Sequence, residues 1–109
     1  HLNDYAFTVW GLLELYEATL EVTYLQEAIH LNDQMIAHFW DDTDGGFYMT
    51  ADDSEKLLIR SKEIYDGAIP SGNSVAALNL LRLGHLTAKQ DYLKKAEEID
   101  RAFAGTVNR

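Results

Sequence analysis

The chain has 109 residues, enough for one domain or for part of a larger one. Apolar residues make up 47% of it and the formal net charge is −9, so we expect a packed core and no binding to nucleic acid or to an anionic membrane surface. Cysteine is absent and no stretch approaches the roughly 20 apolar residues of a membrane span, which excludes disulfides and thiolate metal sites and favours a cytoplasmic protein.

The first half of the chain has the pattern of two helices. Over residues 4–19, polar residues or glycine recur every third position and most of the others are apolar, which predicts a helix with neighbours on more than one side. Gly11 lies within it, and we expect another helix to approach closely there. Residues 23–39 carry apolar side chains at spacings of three and four, which predicts the second helix.

The segment 40–71 breaks the helical pattern. DDTDGG ends the second helix, because two consecutive glycines permit positive φ angles. Residues 46–50 and 56–60 are typical of short strands, and we predict that they pair as a β-hairpin. The acidic turn lacks the ligand spacing of an EF-hand in either register, so we expect no metal site.

Two more helices are predicted after the only proline, Pro70. Residues 72–86 form the third and residues 88–104 the fourth, from their apolar periodicity. Thr87 and Gln90 have the spacing of a capping box, which predicts that Thr87 starts the fourth helix.

The helices repeat with an offset of 68 residues, at which 4–36 lies over 72–104. Each unit is a helix, a short turn and a second helix, so we predict an all-α fold of two stacked helical hairpins, 4–39 and 72–104, in a single unit covering 1–109. Such hairpins close into a toroid or continue as an open solenoid of the tetratricopeptide type. The long, hairpin-bearing connection favours the toroid.

Three stretches carry a resemblance to a known family: LNDYAFTVWGLLELYEAT, FWDDTDGGFY and YDGAIPSGNSVAALNLLRL. They resemble the uncharacterised thioredoxin-domain-containing proteins of the spermatogenesis-associated protein 20 family. The resemblance implies a fragment of an (α/α)6 toroid, similar to those of N-acylglucosamine 2-epimerases and six-hairpin glycosidases. It implies no redox activity for this part of the chain and no cofactor.

The candidate site residues surround the YDGAIPSGNS stretch, which the resemblance places at the rim of the toroid cavity. A carbohydrate site needs aromatic faces and polar groups for hydroxyls, and the candidates are Trp40, Phe47, Tyr48, Arg60, Tyr65, Ser71, Asn73 and Ser74. Asp66 is the candidate catalytic carboxylate, although glycoside hydrolysis needs a second one. The competing interpretation is a rigid, well-capped loop, in which Ser71 or Asn73 caps the third helix.

The sequence leaves the function open between a carbohydrate-binding or carbohydrate-active domain and a protein-binding helical repeat. A third alternative is a structural domain that has no chemistry. Two hairpins cut from a ring would leave apolar flanks uncovered, so we expect the fragment to form a homo-oligomer, most simply a twofold dimer.

Overall fold

Four helices account for most of the described structure. The computed structural model describes residues 1–48 and 71–107, with side chains for 1–48 and 72–102. The helices are α1 (Leu2–Thr19), α2 (Val22–Phe39), α3 (Ser71–Thr87) and α4 (Gln90–Val107). Within these residues, the all-α prediction is therefore confirmed. Within the described ranges, no helix is long and apolar enough to cross a membrane.

The structure describes only part of the predicted β-hairpin. Among the described residues, strand-like pairing is limited to one antiparallel bridge between Trp40 and Phe47. The remainder of the predicted strands, from residue 49 to residue 60, lies outside the described residues.

The two interhelical turns are alike, as the 68-residue repeat predicts. Leu20 follows α1 and Ala88 follows α3, and both have a φ angle of 60°. The threonine that ends each first helix donates its hydroxyl to the carbonyl four residues earlier: Thr19 to Leu15 at 2.8 Å and Thr87 to Leu83 at 2.7 Å. The second helices begin at Val22 and Gln90, again 68 residues apart.

The predicted role of Thr87 is wrong. Thr87 is the last residue of α3, and α4 begins three residues later at Gln90. Its hydroxyl donates to the Leu83 carbonyl, and Thr87 is not the N-cap of α4. The capping-box spacing is present in the sequence, but the Thr87 hydroxyl makes its hydrogen bond within the last turn of α3 instead.

The two hairpins meet through their first helices. α1 packs against α2, α3 packs against α4, and α1 packs against α3. One buried core runs through all four helices: Leu2, Ala6, Val9, Leu13, Ala28, Met35, Phe39, Phe47, Ala76, Leu80, Leu83, Tyr92, Ala96 and Ile99. A toroid and an open solenoid both place first helices side by side, so this contact is common to the two arrangements.

Specific contacts determine how α3 lies on α1. A Cβ at Gly72 would come within 2.3 Å of the Asn3 Oδ1 atom, so the absence of a side chain allows the close approach. The buried Asn79 donates from Nδ2 to the Ala6 carbonyl at 2.8 Å. At the other end of the interface, Arg82 pairs with two α1 carboxylates, Glu14 at 2.9 Å and Glu17 at 3.0 Å.

Candidate functional site

The turn after α2 is held by its own hydrogen bonds. The Asp41 carboxylate accepts from the Thr43 backbone N–H at 2.9 Å and from the Asp44 N–H at 3.3 Å. The Asp41 backbone N–H donates to the Gly46 carbonyl at 2.9 Å. Gly45 and Gly46 have φ angles of 81° and 91°, which side-chain-bearing residues rarely adopt, so the DDTDGG stretch makes this turn for the predicted reason.

The turn returns the chain antiparallel to the end of α2. Tyr48 donates its N–H to the Phe39 carbonyl at 2.8 Å, next to the bridge between Trp40 and Phe47. The Trp40 and Phe47 rings meet edge to face with their centroids 5.0 Å apart. Phe47 is fully buried, whereas Trp40 and Tyr48 are half-buried. Phe47 is thus a core residue, and the other two aromatic rings reach the surface.

Asn73 joins α3 to this turn. The Phe47 N–H donates to Asn73 Oδ1 at 2.7 Å, and Asn73 Nδ2 donates to the Phe47 carbonyl at 3.0 Å. Asn73 has no exposed surface, so both hydrogen bonds are shielded from water. The amide therefore pairs with Phe47 as a neighbouring strand would, and it ties residue 47 to residue 73.

Trp40 lies beside α4 as well as beside Phe47. The Lys95 Nζ atom lies 5.4 Å from the Trp40 ring centroid, within the range of a cation–π interaction. Lys95 also pairs with Asp91, one turn earlier on α4, at 3.4 Å. A planar ligand stacking on Trp40 would have to use the ring face opposite Lys95.

A polar cavity of about 310 Å³ lies between the DDTDGG turn and α4. It is lined by Asp42, Thr43, Asp44, Gly45, Glu98, Arg101 and Ala102. Three carboxylates, a hydroxyl and a guanidinium offer hydrogen bonds to a hydroxyl-rich molecule. Among residues 1–48 and 71–107, however, no three His, Asp or Glu side chains are grouped so as to hold a metal ion.

The predicted site residues divide into three groups. Arg60, Tyr65 and Asp66 lie outside the described residues. Phe47 and Asn73 are buried and bonded to each other. The remaining candidates lie near the same end of the helices: Trp40 and Tyr48 after α2, Ser71 at the first position of α3, and the half-buried Ser74 one turn further.

Sequence reasoning missed the residues that α4 contributes. Lys95, Glu98 and Arg101 recur at intervals of three on α4, so they line its side facing the turn. Their spacing was readable as one helix face, but nothing in the sequence indicated that this face meets residues 40–45.

A partly buried hydrogen bond also joins the second helices. The Tyr92 hydroxyl on α4 donates to the Asp33 carboxylate on α2. Burial, together with this hydrogen bond to a carboxylate, raises the pKa of the Tyr92 phenol. Tyr92 therefore stays protonated and keeps donating through the physiological pH range.

These features define a class of protein, an all-α unit of two repeated helical hairpins with a hydrogen-bonded turn between them. No protein-family model matches the chain, and no solved structure matches it. The chain is 44% identical to rat spermatogenesis-associated protein 20 and 43% identical to the human protein of that name, over 109 residues and 99% of its length. An uncharacterised protein of Caenorhabditis elegans is 33% identical over 97% of the chain.

These matches support the resemblance to the spermatogenesis-associated protein 20 family. The chain spans 14% of the length of these relatives. The names of these relatives identify no reaction, substrate or ligand.

Proposed function

We propose that the chain is part of the helical domain of a spermatogenesis-associated protein 20 relative, and that it supplies two of the six hairpins of an (α/α)6 toroid. We further propose that this domain binds a carbohydrate at the end of the helices where α2 ends and α3 begins. The supporting observation is the double hydrogen bond between Phe47 and Asn73, which brings together the two residues that flank segment 49–70.

The proposed division of roles follows from burial. Phe47 and Asn73 hold the site together and do not touch the ligand, because both are fully buried. Trp40, Tyr48 and Ser74 keep accessible surface at this end of the helices, and an aromatic face there suits the apolar face of a sugar. Arg60, Tyr65 and Asp66 of the connecting segment would supply the groups that bind sugar hydroxyls.

We propose that this chain takes part in binding a carbohydrate, and we do not propose that it catalyses a reaction. Hydrolysis of a glycoside requires two carboxyl groups about 5–10 Å apart. Asp66 is the proposed carboxylate of the site, and a partner carboxylate would come from elsewhere in the domain.

Tryptophan fluorescence can test the proposal, because the chain has only two tryptophans, Trp10 and Trp40. The Trp10→Phe variant leaves Trp40 as the single indole. It would be titrated with a neutral hexose, an N-acetylated hexosamine and a hexose phosphate up to about 10 mM, since weak sites have Kd values near 1 mM. We expect at least one of these sugars to give a saturable change in emission.

The same titration with Asp66→Asn added should lose the response, whereas Glu27→Gln, at an exposed position of α2, should keep it. Three results would refute the proposed site. They are no saturable change with any of the sugars, an unchanged response in Asp66→Asn, and equal losses in the two variants.

A further inference from the structure

A groove of about 720 Å³ lies along α3 and α4, on the side of hairpin two away from α1. α3 lines it with Ser74, Ala77, Leu78 and Leu81, and α4 with Gln90, Leu93, Lys94, Ala96, Glu97 and Asp100. Leu78 and Leu81 are 45% and 43% exposed. Two large apolar side chains in one groove make a patch that a neighbour would cover.

The repeat identifies the equivalent surface on hairpin one, and its α1 part is covered except at Trp10, the counterpart of Leu78, which is 42% exposed. At an offset of 68, the groove residues Ser74, Ala77 and Leu81 correspond to Ala6, Val9 and Leu13 of α1. All three α1 residues have no exposed surface. Ala6 accepts the hydrogen bond from Asn79 of α3, so this α1 surface includes the contact with α3.

The α3 side of that contact also has an equivalent at the offset of 68. It lies on α1, and it is not covered. Gly72, Asn79 and Leu83 of α3 are buried, and at the same offset they correspond to Asp4, Gly11 and Leu15 of α1. Leu15 is 45% exposed, and no described atom lies within 4 Å of a Cβ at Gly11. The close approach expected at Gly11 is therefore not made by the described residues.

We propose that the α3–α4 groove is the docking surface for the first helix of another helical hairpin of this repeat. In the isolated chain, α1 of a second copy supplies that helix through its surface of Asp4, Gly11 and Leu15. The copies then join head to tail and repeat the α1–α3 contact already present within each chain. A twofold dimer would instead pair identical surfaces. This inference does not depend on carbohydrate binding.

Relatives about seven times longer than this chain have room for such hairpins in a single polypeptide, since the chain spans 14% of their length. Within a longer chain, the same groove would receive a hairpin of that chain. With the 109-residue chain, the proposed contact can be measured as association between separate molecules.

Disulfide trapping can distinguish the two arrangements, because the chain has no cysteine. The Asn79–Ala6 contact translates to Gly11 of one copy and Ser74 of the other. Gly11→Cys and Ser74→Cys chains, one carrying a mass tag, would be mixed and oxidised mildly. We expect the mixed disulfide in at least about tenfold excess over the homodisulfides, because docking raises the effective thiol concentration.

The matched control pairs Gly11→Cys with Leu86→Cys, since Leu86 is an exposed α3 residue outside the groove. That pair should give only the statistical mixture, in which the mixed species equals the two homodisulfides together. A dominant Ser74→Cys homodisulfide would mean a twofold dimer and would overturn the proposal. A statistical mixture from the test pair, or no disulfide, would overturn it as well.

Sedimentation equilibrium gives a second measurement that needs no cysteine. Leu81 and Leu86 are each 43% exposed on α3, but only Leu81 lines the groove. Leu81→Glu should weaken association by at least about tenfold, through loss of one buried leucine contact, and Leu86→Glu by less than about twofold. A monomeric mass at all concentrations, or equal effects of the two substitutions, would overturn the proposal.

Discussion

The two hairpins have the same turn but different contact surfaces. Leu20 and Ala88 hold equivalent left-handed positions, and Thr19 and Thr87 make equivalent hydrogen bonds. The residues that contact other parts of the chain are not equivalent. Turn geometry is set within the hairpin and repeats with it, whereas each hairpin has its own neighbours and carries side chains suited to them.

The buried amides of α3 show this difference most clearly. Asn73 and Asn79 correspond to Tyr5 and Gly11 of α1 at the offset of 68. Asn73 pairs with the turn after α2, and Asn79 pairs with the α1 backbone. α3 therefore has polar partners in two directions, while in the described structure a side chain at the α1 position Gly11 would meet no atom within 4 Å.

The largest effect in this comparison is expected at Asn73. Asn73→Ala would leave the buried N–H and C=O groups of Phe47 without the amide, at about 1–3 kcal/mol for each. We expect a total loss of about 2–4 kcal/mol in the free energy of unfolding. Urea denaturation measures it, with the half-buried neighbour Ser74→Ala as the control, expected within about 0.5 kcal/mol. A loss below about 1 kcal/mol for Asn73→Ala would contradict the role assigned to the pair.

The equivalent positions Asn79 and Gly11 are expected to respond with opposite signs. Asn79→Ala removes the bond to Ala6, but Asn79 Oδ1 is buried with no hydrogen-bond partner among the described residues, so the loss should be about 1–2 kcal/mol. Gly11→Ala adds a methyl group in open space and a better helix former, so it should gain about 0.5–1 kcal/mol. Thermal denaturation of dilute protein compares them. A destabilising Gly11→Ala would indicate a neighbour at α1 even in the monomer.

The sequence predicted the helices and the repeat because both follow from local periodicity. The apolar spacing placed the four helices, and each observed helix begins or ends within three residues of its predicted limits. The repeat placed the turns and paired α1 with α3 in register. Thr87 was assigned wrongly because two local hydrogen-bonding patterns compete for one hydroxyl. The Thr19 side chain occupies the equivalent position, so the repeat already contained the signal that would have decided between them.

The candidate site was less predictable because its contacts are long-range. The alternatives for Asn73 were a helix cap or a cavity group, and the structure shows a third role, pairing with a backbone 26 residues away. Lys95 reaches Trp40 across a tertiary contact of the same kind. A partner's backbone has no sequence signature, so such pairs require coordinates. Arg60, Tyr65 and Asp66 stay predictions, since they lie outside the described residues.

Equal effects are expected where the hairpins are alike. Leu20 and Ala88 have φ angles of 60°, which costs residues with a Cβ about 1–2 kcal/mol. Glycine removes that cost but adds freedom to the unfolded chain, so Leu20→Gly and Ala88→Gly should each stabilise by about 0.5–1 kcal/mol. Leu20→Ala keeps the Cβ and serves as the control. If only one of the two glycine variants gains stability, the turns are not equivalent.

The smallest effect is expected at the ion pairs between the hairpins. Arg82 is 17% exposed but Glu14 and Glu17 are about half-exposed, so water screens the interaction and Arg82→Gln should cost no more than about 1 kcal/mol. A double-mutant cycle of Arg82→Gln with Glu17→Gln isolates the coupling between them, which we expect at about 0.2–1 kcal/mol. The coupling should fall toward zero near 1 M salt, where the screening length is about 3 Å.

The salt dependence distinguishes the two polar links between α3 and α1. Asn79 and Arg82 both join α3 to α1, but only the Asn79 bond is fully buried and therefore insensitive to salt. If high salt reduces the effect of Arg82→Gln and leaves that of Asn79→Ala unchanged, as expected, the buried amide is the salt-independent polar link between the two hairpins. A coupling above about 2 kcal/mol that survived 1 M salt would instead place the main link between the hairpins at Arg82.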